Sequence, residues 1–225
     1  MPMLATKTDQ EIQQDVFREL RWDSRVDQTE IGVEVDNGIV TLTGTVDSYG
    51  KKMAAWEVAH RVIGVLDVAD DIQVKISGTL KRTDTEIAQA VRRTLEWDVF
   101  VPDQQIRSTV SDGRVTLEGQ VNSLAQKRNA ERAVRALSGV RAVTEKITVI
   151  LTNADPNQLR KAIEEALERR AEREADRIRV RVEDGTVTLE GPVRTWHEKD
   201  AVLGTVSHAP GVREVIDHLS VSPWE

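Results

Sequence analysis

An internal repeat constrains this chain more than any other feature. Asn37-Gly38-Ile39-Val40-Thr41-Leu42-Thr43-Gly44 returns 75 residues later as Asp112-Gly113-Arg114-Val115-Thr116-Leu117-Glu118-Gly119. It returns again after 72 more as Asp184-Gly185-Thr186-Val187-Thr188-Leu189-Glu190-Gly191. Self-similarity at a fixed period marks an array of one supersecondary unit. Three copies, at 8–76, 83–150 and 155–222, account for nearly all of the 225 residues. The linkers between them are short, Ser77 to Arg82 and Leu151 to Ala154.

Each copy has the same internal pattern. Ile12, Val16 and Leu20 keep a four-residue spacing, as do Ile87, Val91 and Leu95, and Leu159, Ile163 and Leu167. That spacing predicts one buried stripe of an amphipathic helix. Thr8 or Asp9, Thr83 or Asp84, and Asp155 before Pro156 are its candidate N-caps. Alternating apolar residues follow, Ile31, Val33 and Val35, then Val40, Leu42 and Val46 across Asn37-Gly38. Asn-Gly or Asp-Gly between alternating runs predicts a hairpin, because a type I′ turn needs positive φ at both central residues. Gly44, Gly119 and Gly191 inside the second strand predict a bulge or the close approach of another backbone. A second helix is expected at about 50–63, 125–138 and 197–209, with Ala130, Ala133, Val134 and Leu137 as its buried face in the middle copy. A last strand carries Val68, Ile72 and Val74 and their equivalents.

The expected fold class is therefore α+β. It consists of three tandem helix-strand-strand-helix-strand (αββαβ) units, each a small mixed sheet with two helices on one face. At about 68 residues, each unit is near the lower limit for a self-sufficient core.

The turn glycine, the Val-Thr-Leu-x-Gly strand and the Gly64-Val65 pair followed by Val68, Ile72 and Val74 resemble the BON domain family. All three copies carry these elements, so the resemblance covers nearly the whole chain. It implies a non-enzymatic protein associated with the bacterial envelope, phospholipid binding and osmotic stress. The chain is similar to the triple-BON proteins of the bacterial cytosol.

Composition removes other classes. There are no cysteines, which excludes disulfides, thiol catalysis and thiolate zinc sites. No apolar run reaches the length of a membrane span. The first residues, Met1 to Asp9, contain no apolar signal core, so a cytoplasmic location is expected, with a peripheral membrane position open. Neither a Gly-x-Ser-x-Gly elbow nor a Gly-x-x-x-x-Gly-Lys loop occurs, and no cofactor or metal site is expected. His60, His197, His208 and His218 read as scattered surface histidines. A nucleic-acid role is not expected, because a KH-type unit needs a Gly-x-x-Gly loop and a basic surface.

The formal charge is −7 but is unevenly shared. The first copy has 7 basic and 14 acidic residues, the middle copy 10 and 9, the last 11 and 14. In the middle copy Lys127, Arg128, Arg132 and Arg135 lie on the second helix, the last three within about 60° of one another. They are the candidate ligand-binding residues, for an anionic phospholipid surface or a protein partner. The competing reading is a solvated face or a contact with the acidic first copy. Trp22 and Trp97 share one repeat position and are expected to pack against the sheet. Trp196 is read either as a packing anchor or as a tip touching a membrane or the next repeat. The alternating charges of Glu164 to Glu174 read as a solvated helix extension. The function expected is that of a non-catalytic binding or scaffold protein, with the tie to stress that the resemblance implies; the alternative is a small-ligand or cation sensor with a site between domains.

Overall fold

The computed structural model describes residues 7–78, 81–150, 155–170 and 177–222. The first copy is built of α1 (Asp9–Trp22), β1 (Ile31–Asp36), β2 (Ile39–Val46), α2 (Tyr49–His60) and β3 (Asp67–Val74). The second repeats the order with α3 (Asp84–Trp97), β4 (Ile106–Ser111), β5 (Arg114–Val121), α4 (Leu124–Arg135) and β6 (Ala142–Val149). The third follows with α5 (Pro156–Arg170), β7 (Arg179–Glu183), β8 (Thr186–Val193), α6 (Trp196–Ser207) and β9 (Glu214–Val221).

Three separate three-stranded sheets result, in the orders β1-β2-β3, β4-β5-β6 and β7-β8-β9. β1 and β2 are antiparallel, with Val35 opposite Val40, and β2 and β3 are parallel, with Gly44 opposite Ile72. The second sheet keeps this register, with Val110 opposite Val115 and Gly119 opposite Ile147. The sheets are mixed, as the repeat predicts. Asn37 and Gly38 both have positive φ, as do Asp112 with Gly113 and Asp184 with Gly185, which is the type I′ signature.

The helical stripes are buried as spaced. Ile12, Val16 and Leu20 pack with Val33, Val40, Leu42 and Ile72 in the first copy's core. Ile87, Val91, Leu95, Leu117 and Ile147 are buried in the second copy, and Leu159, Ile163, Leu167 and Leu189 in the third.

Of the paired N-cap candidates, the threonines cap and the aspartates do something else. Thr83 accepts from the Glu86 amide while Glu86 accepts from the Thr83 amide at 2.7 Å, a reciprocal capping box that Thr8 and Glu11 repeat. Asp9 instead accepts from the Asn37 and Gly38 amides, and Asp84 from those of Asp112 and Gly113, at 2.8–2.9 Å. One carboxylate thus ties the first helix to the hairpin turn. The third copy has Pro156 at this position, whose side chain cannot accept. Its Asp155 caps α5 through the Asn157 amide.

Thr83→Ala is expected to destabilise the second copy by about 1 kcal/mol, read as a lower urea midpoint at unchanged slope. The two Thr83 hydrogen bonds hold the Glu86 carboxyl below its ordinary value. The contribution of this box is therefore complete at neutral pH and fades as the pH falls through that lowered value.

By its contacts the chain divides into two compact units. One holds Met1–Lys81 with Val193–Lys199 and Val221–Glu225, the other Arg82–Pro192 with Asp200–Ser220. The division runs through the third copy.

Candidate functional site

The second helices differ more than the repeat suggests. On α2, Ala54, Ala55, Val58, Ala59 and His60 are all buried, and no residue of the helix is exposed. A helix apolar on more than one side is covered on more than one side. In the first unit part of that cover is Trp196. Its indole Nε1 donates to the Leu66 carbonyl at 3.1 Å, and its ring meets His60 edge-on at 4.3 Å between centroids. His60 is only 3% exposed, which corrects its reading as a surface histidine. Its Nδ1 lies 3.0 Å from the Trp56 carbonyl, an acceptor, so the contact is made with Nδ1 as donor. Trp196 is thus a packing anchor. His197, His208 and His218 are exposed as expected.

On α4 the four basic candidates separate. Lys127 is spaced three and seven residues before Ala130 and Val134, which places it on the buried stripe. Its Nζ donates to the Ile147 carbonyl at 2.9 Å and pairs with Glu145 at 2.8 Å. Glu145 in turn accepts from the Ile147 amide. The first copy has the same arrangement, with Lys52 on the Ile72 carbonyl and on Asp70. Lys199, Asp217 and Leu219 hold the corresponding positions in the third. Lys127 is therefore part of the repeat's own framework, which the reading of α4 as a one-sided basic stripe missed. Its recurrence in all three copies was the available signal.

Arg128 is half-buried and donates to the Leu203 carbonyl at 3.3 Å. Arg135 is half-buried, and Arg132 is exposed. Ala133 and Leu137, expected in the core, are only half-buried, while Leu124, Ala130 and Val134 fill it.

The turn after α3 carries a surface that the sequence reading placed inside. Trp97 is 85% exposed, Val99 89% and Phe100 69%. Trp22, at the matching position, is 88% exposed, so neither tryptophan packs on a sheet. The reason is local. α3 ends one residue before Asp98, whose carboxylate accepts from the Phe100 amide while its carbonyl accepts from Val101. Only Val101 of this turn points into the core. The flanking residues are left outside.

The first copy makes the same turn with other chemistry. Asp23 accepts from the Arg25 amide, and the Arg25 guanidinium pairs with both Asp23 and Glu57. The hydrogen bond from Arg25 holds the Asp23 carboxyl below its ordinary range. Ser24 and Arg25 become Val99 and Phe100 in the second copy, and Glu57 becomes Arg132. The ion-paired tip of the first copy is replaced by an apolar tip beside Arg132, with Asp98 kept at the Asp23 position. Asp98, Val99, Phe100, Arg132, Asn129 and Gln126 are among the residues that line one cavity of about 720 Å³.

On α5, Arg160–Glu164, Lys161–Glu165 and Arg169–Glu165 form exposed pairs, consistent with a solvated face; residues 171–174 of that stretch lie outside the described residues. Among the described residues no group of three or more histidines and carboxylates converges to hold a metal ion, and no helix is long and apolar enough to cross a membrane.

Three αββαβ units follow one another in tandem, the second carrying an exposed aromatic tip, and this repeated unit defines the class of protein. The BON domain profile matches residues 8–76, 83–150 and 155–223, and the chain belongs to this family. It is similar to osmotically-inducible protein Y of Escherichia coli (strain K12), 34% identical over 122 residues. That match covers 52% of this chain and 61% of the relative, so it spans less than two thirds of the relative's length. Among solved structures, the C-terminal domain of CdsD from the type III secretion system of Chlamydia trachomatis is 15% identical, with coverage of 93% and 96% and a TM-score of 0.25. The PrgH periplasmic domain is 12% identical, with coverage of 86% and 95% and a TM-score of 0.22. Likeness of that size says nothing about function.

Proposed function

We propose that this protein is a non-catalytic module that docks on anionic phospholipid surfaces through the turn after α3. The observation that carries this is the exposure of Trp97, Val99 and Phe100 within four residues, beside the exposed Arg132. Leaving three large apolar side chains in water is costly unless a partner covers them. Trp favours the boundary between hydrocarbon and water, where its ring is apolar and its N–H stays hydrated. Arg132, and Arg93 beside Trp97, supply the charge that headgroups select. The similarity to an osmotically-inducible protein supports a role under osmotic stress.

The first copy provides a variant that keeps the fold. V99S/F100R/R132E gives the second tip the Ser-Arg-Glu set that the first copy already accommodates as Ser24, Arg25 and Glu57. Burying one Phe side chain is worth about 1.5–3 kcal/mol, and an Arg at an anionic surface about 1 kcal/mol. Wild-type protein is expected to co-sediment with phosphatidylglycerol vesicles and not with phosphatidylcholine vesicles. The variant is expected to bind at least tenfold more weakly with unchanged thermal stability. Failure of the wild type to bind at low salt, or equal binding by the variant, overturns the proposal. Capture by a protein receptor without any vesicle binding does so too.

A further inference from the structure

A second surface of α4, apart from the aromatic tip, has the features of an anion site. Within the second unit, a cavity of about 490 Å³ lies between α4, the end of β6 and the start of β9. Lys127, Arg128 and Arg213 line it, with Glu214 as the acidic residue on its wall. Lys127 is already neutralised by Glu145. Among the described residues no carboxylate stands within ion-pair distance of Arg128 or Arg213. Arg128 donates to the Leu203 carbonyl and Arg213 to the Thr186 hydroxyl at 3.1 Å, which leaves most of each guanidinium's five N–H donors unused.

Arg128 is also held partly out of water. Burial lowers its pKa, against the opposing fields of Asp200 and Glu131. The fields of Asp200 and Glu131 offset only part of the cost of burying the Arg128 guanidinium, and a bound anion would offset more of it. The guanidinium fork matches the oxygens of a phosphate better than any other abundant anion. The site does not belong to the repeat itself. Arg128 is Met53 in the first copy and Asp200 in the third; Arg213 is Leu66 in the first and Arg141 in the second, so only Arg128 is peculiar to one copy. The chain brings the two arginines together from two different copies.

We propose that this cavity binds a phosphate oxyanion through Arg128 and Arg213, either as free phosphate or as the phosphodiester of a lipid headgroup. The test is calorimetric titration of the full chain with inorganic phosphate against a chloride control of equal ionic strength. Saturable binding is expected, with affinity reduced at least tenfold by Arg128→Gln and by Arg213→Gln. Tenfold excess phosphate over its Kd should raise the melting temperature by about 3–6 °C. Arg213 is exposed, so its variant keeps the fold even where loss of the Leu203 bond weakens the Arg128 variant. Short-chain phosphatidylglycerol below its micelle concentration separates the two sources. Competition with phosphate supports a headgroup site, and phosphate binding without competition supports a free-phosphate site. No saturable binding of either probe, or equal affinity in both variants, overturns the proposal. The V99S/F100R/R132E protein should retain this site, so loss of vesicle docking and loss of phosphate binding can be told apart.

Discussion

Gly119→Ala is expected to unfold the second copy. Gly119 has a φ of +148°, where L side chains are strained, and an added Cβ would land on the Gln105 carbonyl oxygen. That atom is backbone, fixed by the short turn that delivers Ile106 to the edge of the sheet. Neither strand has room to yield, because Ile106 is paired with Gly119 and buried. The combined steric and conformational cost is about 4 kcal/mol or more, of the order of the whole stability of a domain this small. Gly44→Ala meets the Glu30 carbonyl and Gly191→Ala the Arg177 carbonyl, so each copy should respond alike. Gly204→Ala is the control. It stands in α6 with nothing within 4 Å of the added carbon and should stabilise by about 0.5–1 kcal/mol. Urea unfolding followed by far-UV circular dichroism checks all four. A native-like transition in the Gly119 variant would show that the two strands separate more easily than their pairing implies.

Lys127→Met is expected to cost about 1–3 kcal/mol, although it keeps the length and apolar stem of the side chain. The loss is electrostatic. Glu145 is mostly buried and would lose its cation, and the Ile147 carbonyl would lose a donor. Lys52→Met should do the same to the first copy through Asp70 and Ile72. Arg132→Gln, five residues along the same helix and exposed, should change stability by less than about 0.5 kcal/mol. Melting temperatures of these three variants distinguish a structural lysine from a surface cation. Equal, small effects would return Lys127 to the surface stripe.

The contrast between Lys127 and Arg132 shows where sequence reading stopped. Both are legible in the sequence as cations on the second helix of the middle copy. The spacing of Lys127 to Ala130 and Val134, and its recurrence as Lys52 and Lys199, already marked it as part of the framework. Trp22 and Trp97 went the opposite way. A large aromatic at a repeated register reads as core, yet the helix ends before the chain can turn either ring inward. The exposed tip was still recoverable by aligning the copies, since Ser24-Arg25 with Glu57 against Val99-Phe100 with Arg132 is a change of chemistry at one site.

The sequence by itself determined the elements, their order and their turns. Those follow from interactions spanning a few residues: a four-residue apolar stripe, an Asn-Gly or Asp-Gly turn, a threonine with a glutamate three residues on. The repeat then multiplied each signal by three. Only the tertiary structure decided which side chains lose their water. His60 is buried because a tryptophan 136 residues away lies over it, and Arg128 is half-buried against a carbonyl 75 residues away. Desolvation depends on neighbours brought together from distant parts of the chain, and no local pattern of residues encodes them.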